Sequence, residues 1–181
     1  YQAWLPTGSN YVGSFISASG TDVNSSTGFM INSMIMKLED LINKKIGRPA
    51  GLSVASIVDP SKVEASYSDY SNALMLANIK SLTSIFTGTN GSSNGVGFDD
   101  YLNFIKADYN GTPLASTVIY RMKSFEKAIV VIPNPYAASL GTSTQPAKDA
   151  WTAGKSLLVL MKVDVPSQLG VTITFTDNDG D

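Results

Sequence analysis

Apolar residues recur at three- and four-residue steps along most of this chain, between short stretches rich in Gly, Pro, Asn and Ser. The clearest stripe lies between positions 26 and 45 and comprises Phe29, Met30, Met34, Leu38, Leu41 and Ile42. This spacing places the residues on one face of a helix. Further stripes predict one helix that ends at Gly88, one that follows Asn110-Gly111 and one that starts at Gln145-Pro146. Amphipathic segments joined by turns predict an all-α fold, an antiparallel helical bundle.

Residues that favour helix ends set the predicted boundaries. Ser68 or Asp69 is predicted to cap the helix that ends at Gly88, because their side chains can accept a hydrogen bond from a free backbone N–H group. The glycine-rich stretch after this helix, residues 87–97, is predicted to be a mobile loop.

Two prolines set the predicted boundaries of the last long helices. Thr112 is predicted to cap a helix with Pro113 at its first position, where the missing N–H group costs nothing. Pro166 and Gly170 are predicted to close the last helix, because a proline cannot donate to the preceding turn and glycine favours the helix end.

The same patterns divide the chain into three parts. Residues 1–25 carry several aromatic side chains that need a surface to pack on, so we expect a docked N-terminal segment that continues a missing N-terminal part. Residues 26–170 form the predicted helical bundle. Residues 171–181 alternate apolar residues with threonines and then become acidic, which predicts an extended acidic tail.

Composition narrows the range of functions. The 181 residues are 43% hydrophobic and 15% charged, with a formal charge of -2, so there is no basic surplus that would favour nucleic acid as a partner. The chain has neither cysteine nor histidine, which excludes disulfides, cysteine or Ser-His-Asp catalysis and histidine-ligated metals within it. Its longest apolar runs fall far short of the ~20 residues that cross a bilayer.

Several short motifs follow one another in an order that resembles a known family. They are Lys45-Ile46 with Pro49, Asp59-Pro60, residues 63–68 (Val-Glu-Ala-Ser-Tyr-Ser), Asn78-Ile79-Lys80-Ser81-Leu82, and residues 169–175 (Leu-Gly-Val-Thr-Ile-Thr-Phe) before the acidic end. Their order and spacing over residues 44–181 resemble the C-terminal half of the imelysin (insulin-cleaving membrane protease) family, which includes iron-regulated protein A-like members. Ala65 departs from the pattern, since the family often has serine there.

The resemblance implies an all-helical protein of two bundle-like halves, of which this chain is one. It also implies export to the periplasm or the outer-membrane surface, often with an N-terminal lipid anchor that this chain does not include. Family members are linked to peptidase activity or to iron-regulated uptake. The family's marker, Gly-x-His-x-x-Glu, cannot lie in a chain without histidine. Either an N-terminal half carries it or this member has lost it, and we favour the first interpretation.

Five polar residues are the candidates for a binding site in a cleft between the halves: Lys45, Glu64, Ser66, Ser68 and Asn78. Lys45 can contact an anionic group of a ligand, or only complement a helix dipole. Glu64 can orient or ligate a metal bound mainly by the other half, or be a surface charge. The serines can line the cleft or cap a helix, and Asn78 can bind a ligand or bridge buried groups. No residue is assigned a catalytic role.

Three functions from different classes remain open. The first, which we prefer, is a module that binds iron, an iron-carrying molecule or another small ligand or peptide. The second is a metallopeptidase whose metal ligands lie in the N-terminal half. The third is a non-catalytic structural role in a lipoprotein. The residues themselves do not identify a cofactor. The resemblance raises the possibility of a divalent metal or iron.

Overall fold

The computed structural model of the chain describes residues 1–52 and 56–174. Helices dominate the described part, and the long ones pack around a single hydrophobic core. The α-helices are α1 (Tyr11–Ser17), α2 (Ser26–Glu39), α3 (Ser71–Thr87), α4 (Phe98–Phe104), α5 (Leu114–Val131), α6 (Tyr136–Ser139), α7 (Gln145–Val159) and α8 (Val165–Leu169). The predicted mostly α-helical bundle is therefore confirmed. No helix in the described ranges has the length and hydropathy that spanning a bilayer requires.

Two π-helical segments interrupt the α-helical geometry. The first π segment, Asp40–Gly47, continues α2, and the Arg48 N–H donates to Asn43 O, five residues back, at 2.8 Å. The second π segment, Leu160–Asp164, joins α7 to α8. A single 3₁₀ turn, Pro60–Lys62, lies in the connection between the first π segment and α3.

The helices α5 and α7 form the centre of the bundle. Arg121 of α5 donates to the Ser156 hydroxyl of α7 at 2.6 Å, and a Cβ added at Gly154 would lie 2.9 Å from Cζ of Phe125. Residue numbers therefore rise along α5 as they fall along α7, which shows that the two helices are antiparallel. The absence of a side chain at Gly154 permits this close approach.

The core contains most, but not all, of the apolar stripe predicted for residues 26–45. Along α2 and the first π segment the buried side chains are Ile31, Met34, Ile35, Leu38, Leu41, Ile42 and Ile46. Phe29 was predicted to belong to this stripe, but its side chain is 54% exposed. It lies in the first turn of α2, where its ring contacts Phe15 of α1 with centroids 6.3 Å apart.

The predicted cap of α3 is wrong. The helix begins at Ser71, and Tyr70 precedes it without a side-chain cap. The Ser68 hydroxyl instead donates to Ala65 O at 3.2 Å, within a turn that ends before the helix starts. Gly88 does end α3, in the left-handed conformation at φ 64°.

Two hairpins replace the expected loop and cap. Within residues 87–97, β1 (Thr89–Asn90) pairs with β2 (Ser93–Asn94). Further on, β3 (Asp108–Tyr109) pairs with β4 (Thr112–Pro113), and α5 begins only at Leu114. Asn110 and Gly111 both have positive φ, at 53° and 81°, the geometry of the tight turn that favours hairpins. The Thr112 cap was therefore wrong, although the turn at Asn110-Gly111 was right.

Pro166 does not close the last helix. In a continuous α-helix its ring would clash with the carbonyl of Lys162. The second π segment lies immediately before it, where the Val165 N–H donates to Leu160 O, and the chain continues helically to Leu169. Gly170 ends the helix in the left-handed conformation at φ 67°, as predicted.

The start of the predicted tail packs against α2. Val171 is buried, Ile173 is half-buried, and the Thr172 N–H donates to Thr21 O at 3.2 Å. Phe175 and the acidic residues after it lie outside the described residues.

Candidate functional site

The structure brings two of the predicted site residues into direct contact. Nζ of Lys45 lies 2.9 Å from Oε2 of Glu64, with side chains 25% and 42% exposed. Lys45 comes from the first π segment, whereas Glu64 comes from the connection that leads to α3. The pair therefore joins two elements that are separate in sequence, and both charges remain accessible from solvent.

The turn that carries Glu64 has an uncommon backbone. Ala65 and Asp69 both adopt positive φ, at 54° and 55°. For a residue with a Cβ this conformation costs roughly 1–2 kcal/mol, so neighbouring contacts must hold it. Val63 is 5% exposed and anchors the turn in the core, and the Ser71 hydroxyl donates to Glu64 O at the start of α3. The backbone of Glu64 is thus fixed on both sides.

The remaining candidates lie near the ion pair to different degrees. Ser66 is half-buried and Ser68 is exposed, both in the same turn as Glu64. Asn78 is half-buried within α3, seven residues after Ser71, which corresponds to about 10 Å along the helix axis. The geometry of the described residues therefore groups Lys45, Glu64 and the serines more closely than Asn78.

Tyr136 is a supporting residue that the sequence patterns did not indicate. Its side chain is 1% exposed, and its hydroxyl donates to Ile46 O at 2.6 Å. Burial raises the pKa of this phenol, so it remains a donor at all ordinary pH values. The hydroxyl thereby fixes the end of the first π segment, one residue after Lys45. An aromatic residue after the Pro-Asn-Pro break was visible in the sequence, but its partner 90 residues away was not.

Trp151 packs beside the same segment. Its Cδ1 would lie 2.9 Å from a Cβ added at Gly47, so this glycine is needed for the close contact between α7 and the π segment. The Lys155 ammonium lies 5.2 Å from the centroid of the Trp151 ring. The backbone that presents Lys45 is consequently held by the Tyr136 hydroxyl and by this ring.

The 3₁₀ turn before Glu64 is capped by Asp59. The carboxylate accepts from the Ser61 N–H at 3.0 Å and from the Ser61 hydroxyl at 2.6 Å. The hydroxyl bond is the main cause that lowers the pKa of Asp59 below its ordinary value. Asp59 thus acts as a structural acceptor in this connection.

The donor set around Glu64 does not by itself suit a metal ion. Metal ions of biological interest need several convergent oxygen, nitrogen or sulfur ligands. Among the described residues no group of three or more His, Cys, Asp or Glu side chains can hold one. Glu64 is moreover neutralised by Lys45 at 2.9 Å. A metal at this surface would need its ligands from elsewhere.

The fold and the site define the class of protein: a helical bundle with a solvent-accessible ion pair between a π-helical segment and the turn before α3. The family model for Imelysin, which carries the name of a peptidase, matches residues 1–158. The chain therefore belongs to the imelysin family. Neither a curated protein nor a solved structure matches the chain.

Proposed function

We propose that this chain forms one wall of a ligand-binding cleft in an exported imelysin-family protein. The other wall is an N-terminal half that carries the His-x-x-Glu motif, and the ligand is iron in the form of a small iron-carrying molecule. The observation that carries the proposal is the Lys45–Glu64 pair, which joins two elements at an accessible surface.

The ion pair offers a ligand two opposite charges on a fixed backbone. An anionic group of the ligand pairs with the Lys45 ammonium, while Glu64 accepts from a donor group. An exposed ion pair is worth little on its own, about 0–1 kcal/mol, so a ligand replaces it at low cost. The hydroxyls of Ser66 and Ser68 lie in the same turn and add neutral hydrogen-bonding groups.

A second surface supports the presence of the other half. The rings of Trp4, Tyr11, Phe15 and Phe29 form a cluster, with Trp4 and Tyr11 centroids 4.9 Å apart. Trp4 and Tyr11 are nevertheless 49% and 48% exposed. No charged side chain occurs in residues 1–21. Exposed, uncharged aromatic patches of this kind are typical of surfaces that another protein body covers. In the proposal this body is the N-terminal half.

The metal ligands belong to the N-terminal half in this proposal. This chain contributes Glu64 only as an outer carboxylate that orients a bound group. The same arrangement serves the alternative function, a metallopeptidase, which the peptidase name of the family favours.

The two functions are separated by measurements on the full-length protein. We expect stoichiometric bound iron, measured by mass spectrometry of the metal, without hydrolysis of unstructured peptides. Peptide hydrolysis that a chelator abolishes would favour the metallopeptidase instead.

The contribution of this chain is tested with ferric citrate, an anionic iron complex. We expect Lys45→Met to weaken its binding about tenfold, the size of a charged hydrogen bond, in calorimetric titration of the full-length protein, because this variant removes the cation that pairs with the anionic complex. The matched control is Lys44→Met, which removes the neighbouring Asp40–Lys44 surface pair at 2.8 Å. Equal affinity for wild type and Lys45→Met would refute the proposed role of the pair.

Export to the periplasm or the outer-membrane surface is part of the same proposal, with membrane attachment only through an N-terminal lipid anchor outside this chain. Fractionation of cells that express the full gene tests it. The protein is expected with the membrane fraction and is expected to be released when the anchored N-terminal residue is substituted.

A further inference from the structure

A pocket of about 200 Å³ opens between α2, the second π segment and residues 173–174. Its apolar wall includes Phe29, Met36 and Ile173, of which the first two are 54% and 40% exposed. Neither Lys45 nor Glu64 is among the described residues that line it. The pocket is therefore separate from the Lys45–Glu64 surface, although its Phe29 also belongs to the aromatic cluster, and binding of a ligand in it goes beyond the proposed function.

An ion pair forms the charged part of this pocket, which Asn32, Ser33 and Thr174 also line with polar groups. The Lys162 ammonium contacts the Glu39 carboxylate, and the Glu39 side chain is only 13% exposed. Glu39 and Lys162 are the charged residues among the described ones that line the pocket, so its net charge is zero. A pocket with no net charge that carries one positive and one negative group suits a zwitterion better than a simple cation or anion.

Both members of the pair lie at changes of helix geometry. Glu39 is the last residue of α2 before the first π segment, and Lys162 lies within the second π segment. π-helical turns are rare and often occur at functional sites, where they place a side chain that a regular helix would turn away. Here one member of the ion pair lies within a π segment and the other lies directly before one, an observation independent of the pocket itself.

The remaining wall is held in place by Asn32. Its Nδ2 donates to Gly28 O at 2.8 Å and to Thr172 O at 3.0 Å. Its Oδ1 accepts from the Thr174 N–H at 2.8 Å and from the Thr174 hydroxyl at 3.0 Å. The amide of Asn32 is thus fully hydrogen-bonded within the protein. Ile173 is held in place because its neighbours Thr172 and Thr174 both bond to Asn32. Glu39 and Lys162 remain as the groups that can exchange partners with a ligand.

We propose that this pocket binds a free apolar α-amino acid. The ammonium group of the ligand pairs with Glu39, its carboxylate pairs with Lys162, and its side chain lies among Phe29, Met36 and Ile173. The two charges of an α-amino acid are close together, as are those of the ion pair, so the ligand can lie against the pair with opposite charges matched. A volume of about 200 Å³ corresponds to roughly seven water molecules, which fits a side chain of the size of leucine or methionine.

The proposal is tested by titrating the 181-residue chain with L-leucine while recording the methyl resonances of its methionines. We expect saturable binding that shifts the Met36 resonance and leaves that of Met122, which is buried in α5, unchanged. Assignment uses the loss of each resonance on substitution by leucine. Saturation without a shift at Met36, or no saturation at millimolar leucine, would overturn the proposal.

Two analogues test the zwitterion requirement on the wild-type chain. Leucinamide lacks the carboxylate and 4-methylpentanoate lacks the ammonium group. Each is expected to bind at least about tenfold more weakly than leucine, because each loses one charged contact. Equal binding of 4-methylpentanoate would show an apolar pocket without the proposed role for Glu39.

Variants of the pair complete the test. Lys162→Met keeps the aliphatic stem and removes the charge, and Glu39→Gln keeps the shape; both are expected to weaken leucine binding about tenfold. The matched control is Lys80→Met, which breaks the exposed Lys80–Glu126 pair at 3.9 Å between α3 and α5. Unchanged leucine affinity in both pair variants would overturn the assignment even if leucine binds the wild type.

Discussion

The hydroxyl of Tyr136 bonds to the carbonyl of Ile46 at the end of the first π segment. This group helps to hold the backbone beside Lys45, together with the Trp151 ring. The carbonyl is buried with Ile46, which is 0% exposed, so no water is at hand to replace the phenol. A buried carbonyl that loses its hydrogen-bond donor destabilises the folded state by the free energy of removing that carbonyl from water.

Tyr136→Phe is therefore expected to lower the free energy of unfolding by about 1–3 kcal/mol. The ring stays in place, so the loss reports the hydroxyl alone. Chemical denaturation followed by circular dichroism measures it. Tyr120→Phe is the matched control, since Tyr120 is 68% exposed on α5. An effect of Tyr136→Phe no larger than that of Tyr120→Phe would show that the bond does not stabilise the segment.

At the candidate site, the polar residues could be predicted from the sequence, whereas their supporting contacts could not. Lys45 and Glu64 were both predicted from motif positions, and the structure shows them in contact. Whether they bind a ligand stays a prediction. The partner of Tyr136 was not predictable, because nothing local to residue 136 indicates a carbonyl 90 residues away.

At the scale of elements, the attachment of residues 171–174 to α2 depends on Asn32. One face of its side chain bonds to residues 172 and 174, about 140 positions later. The Asn32 side chain supplies the hydrogen bonds to this backbone that a neighbouring strand would otherwise supply. The segment is thus attached by a side chain of α2 and by the burial of Val171.

Asn32→Ala should release this segment without unfolding the bundle. We expect the Thr174 amide to exchange with solvent at least about tenfold faster, and unfolding to become easier by about 1–2 kcal/mol, because these bonds are partly exposed. Hydrogen exchange measured by NMR gives the first value. Ser33→Ala, at the next position of α2, provides the comparison. Equal protection of Thr174 in the two variants would contradict the role given to Asn32.

Element boundaries show which local rules hold. Gly88 and Gly170 end helices in the left-handed conformation, as predicted, because a residue without Cβ adopts it at no steric cost. The predicted stops and caps at Pro166, Thr112 and Ser68 were wrong, each because a π segment, a hairpin or a separate turn occupied the position.

At the scale of the whole molecule, the cluster of Trp4, Tyr11, Phe15 and Phe29 forms a partly exposed aromatic surface. Trp4 is 49% exposed, while the chain's other tryptophan, Trp151, lies half-buried against the first π segment. The two side chains therefore report on different surfaces of the bundle.

The proposed N-terminal half is expected to cover Trp4 but not to change Trp151. Fluorine NMR of protein grown with 5-fluorotryptophan tests this, with each resonance assigned by its loss in Trp4→Phe or Trp151→Phe. The Trp4 resonance should shift and lose its solvent-isotope effect in the full-length protein relative to the 181-residue chain. An unchanged Trp4 resonance would mean that the other half does not cover this surface.

The sequence by itself determined the helical class, most helices and the family, because periodic burial and turn residues act over a few positions and need no distant partner. Only the tertiary structure decided where the π segments fall, how hairpins replace a cap and a loop, and which polar side chains meet. Those features depend on contacts between residues far apart in sequence, such as Tyr136 with Ile46 and Asn32 with Thr174. Such contacts are determined by close packing in the folded chain, so no local sequence pattern predicts them.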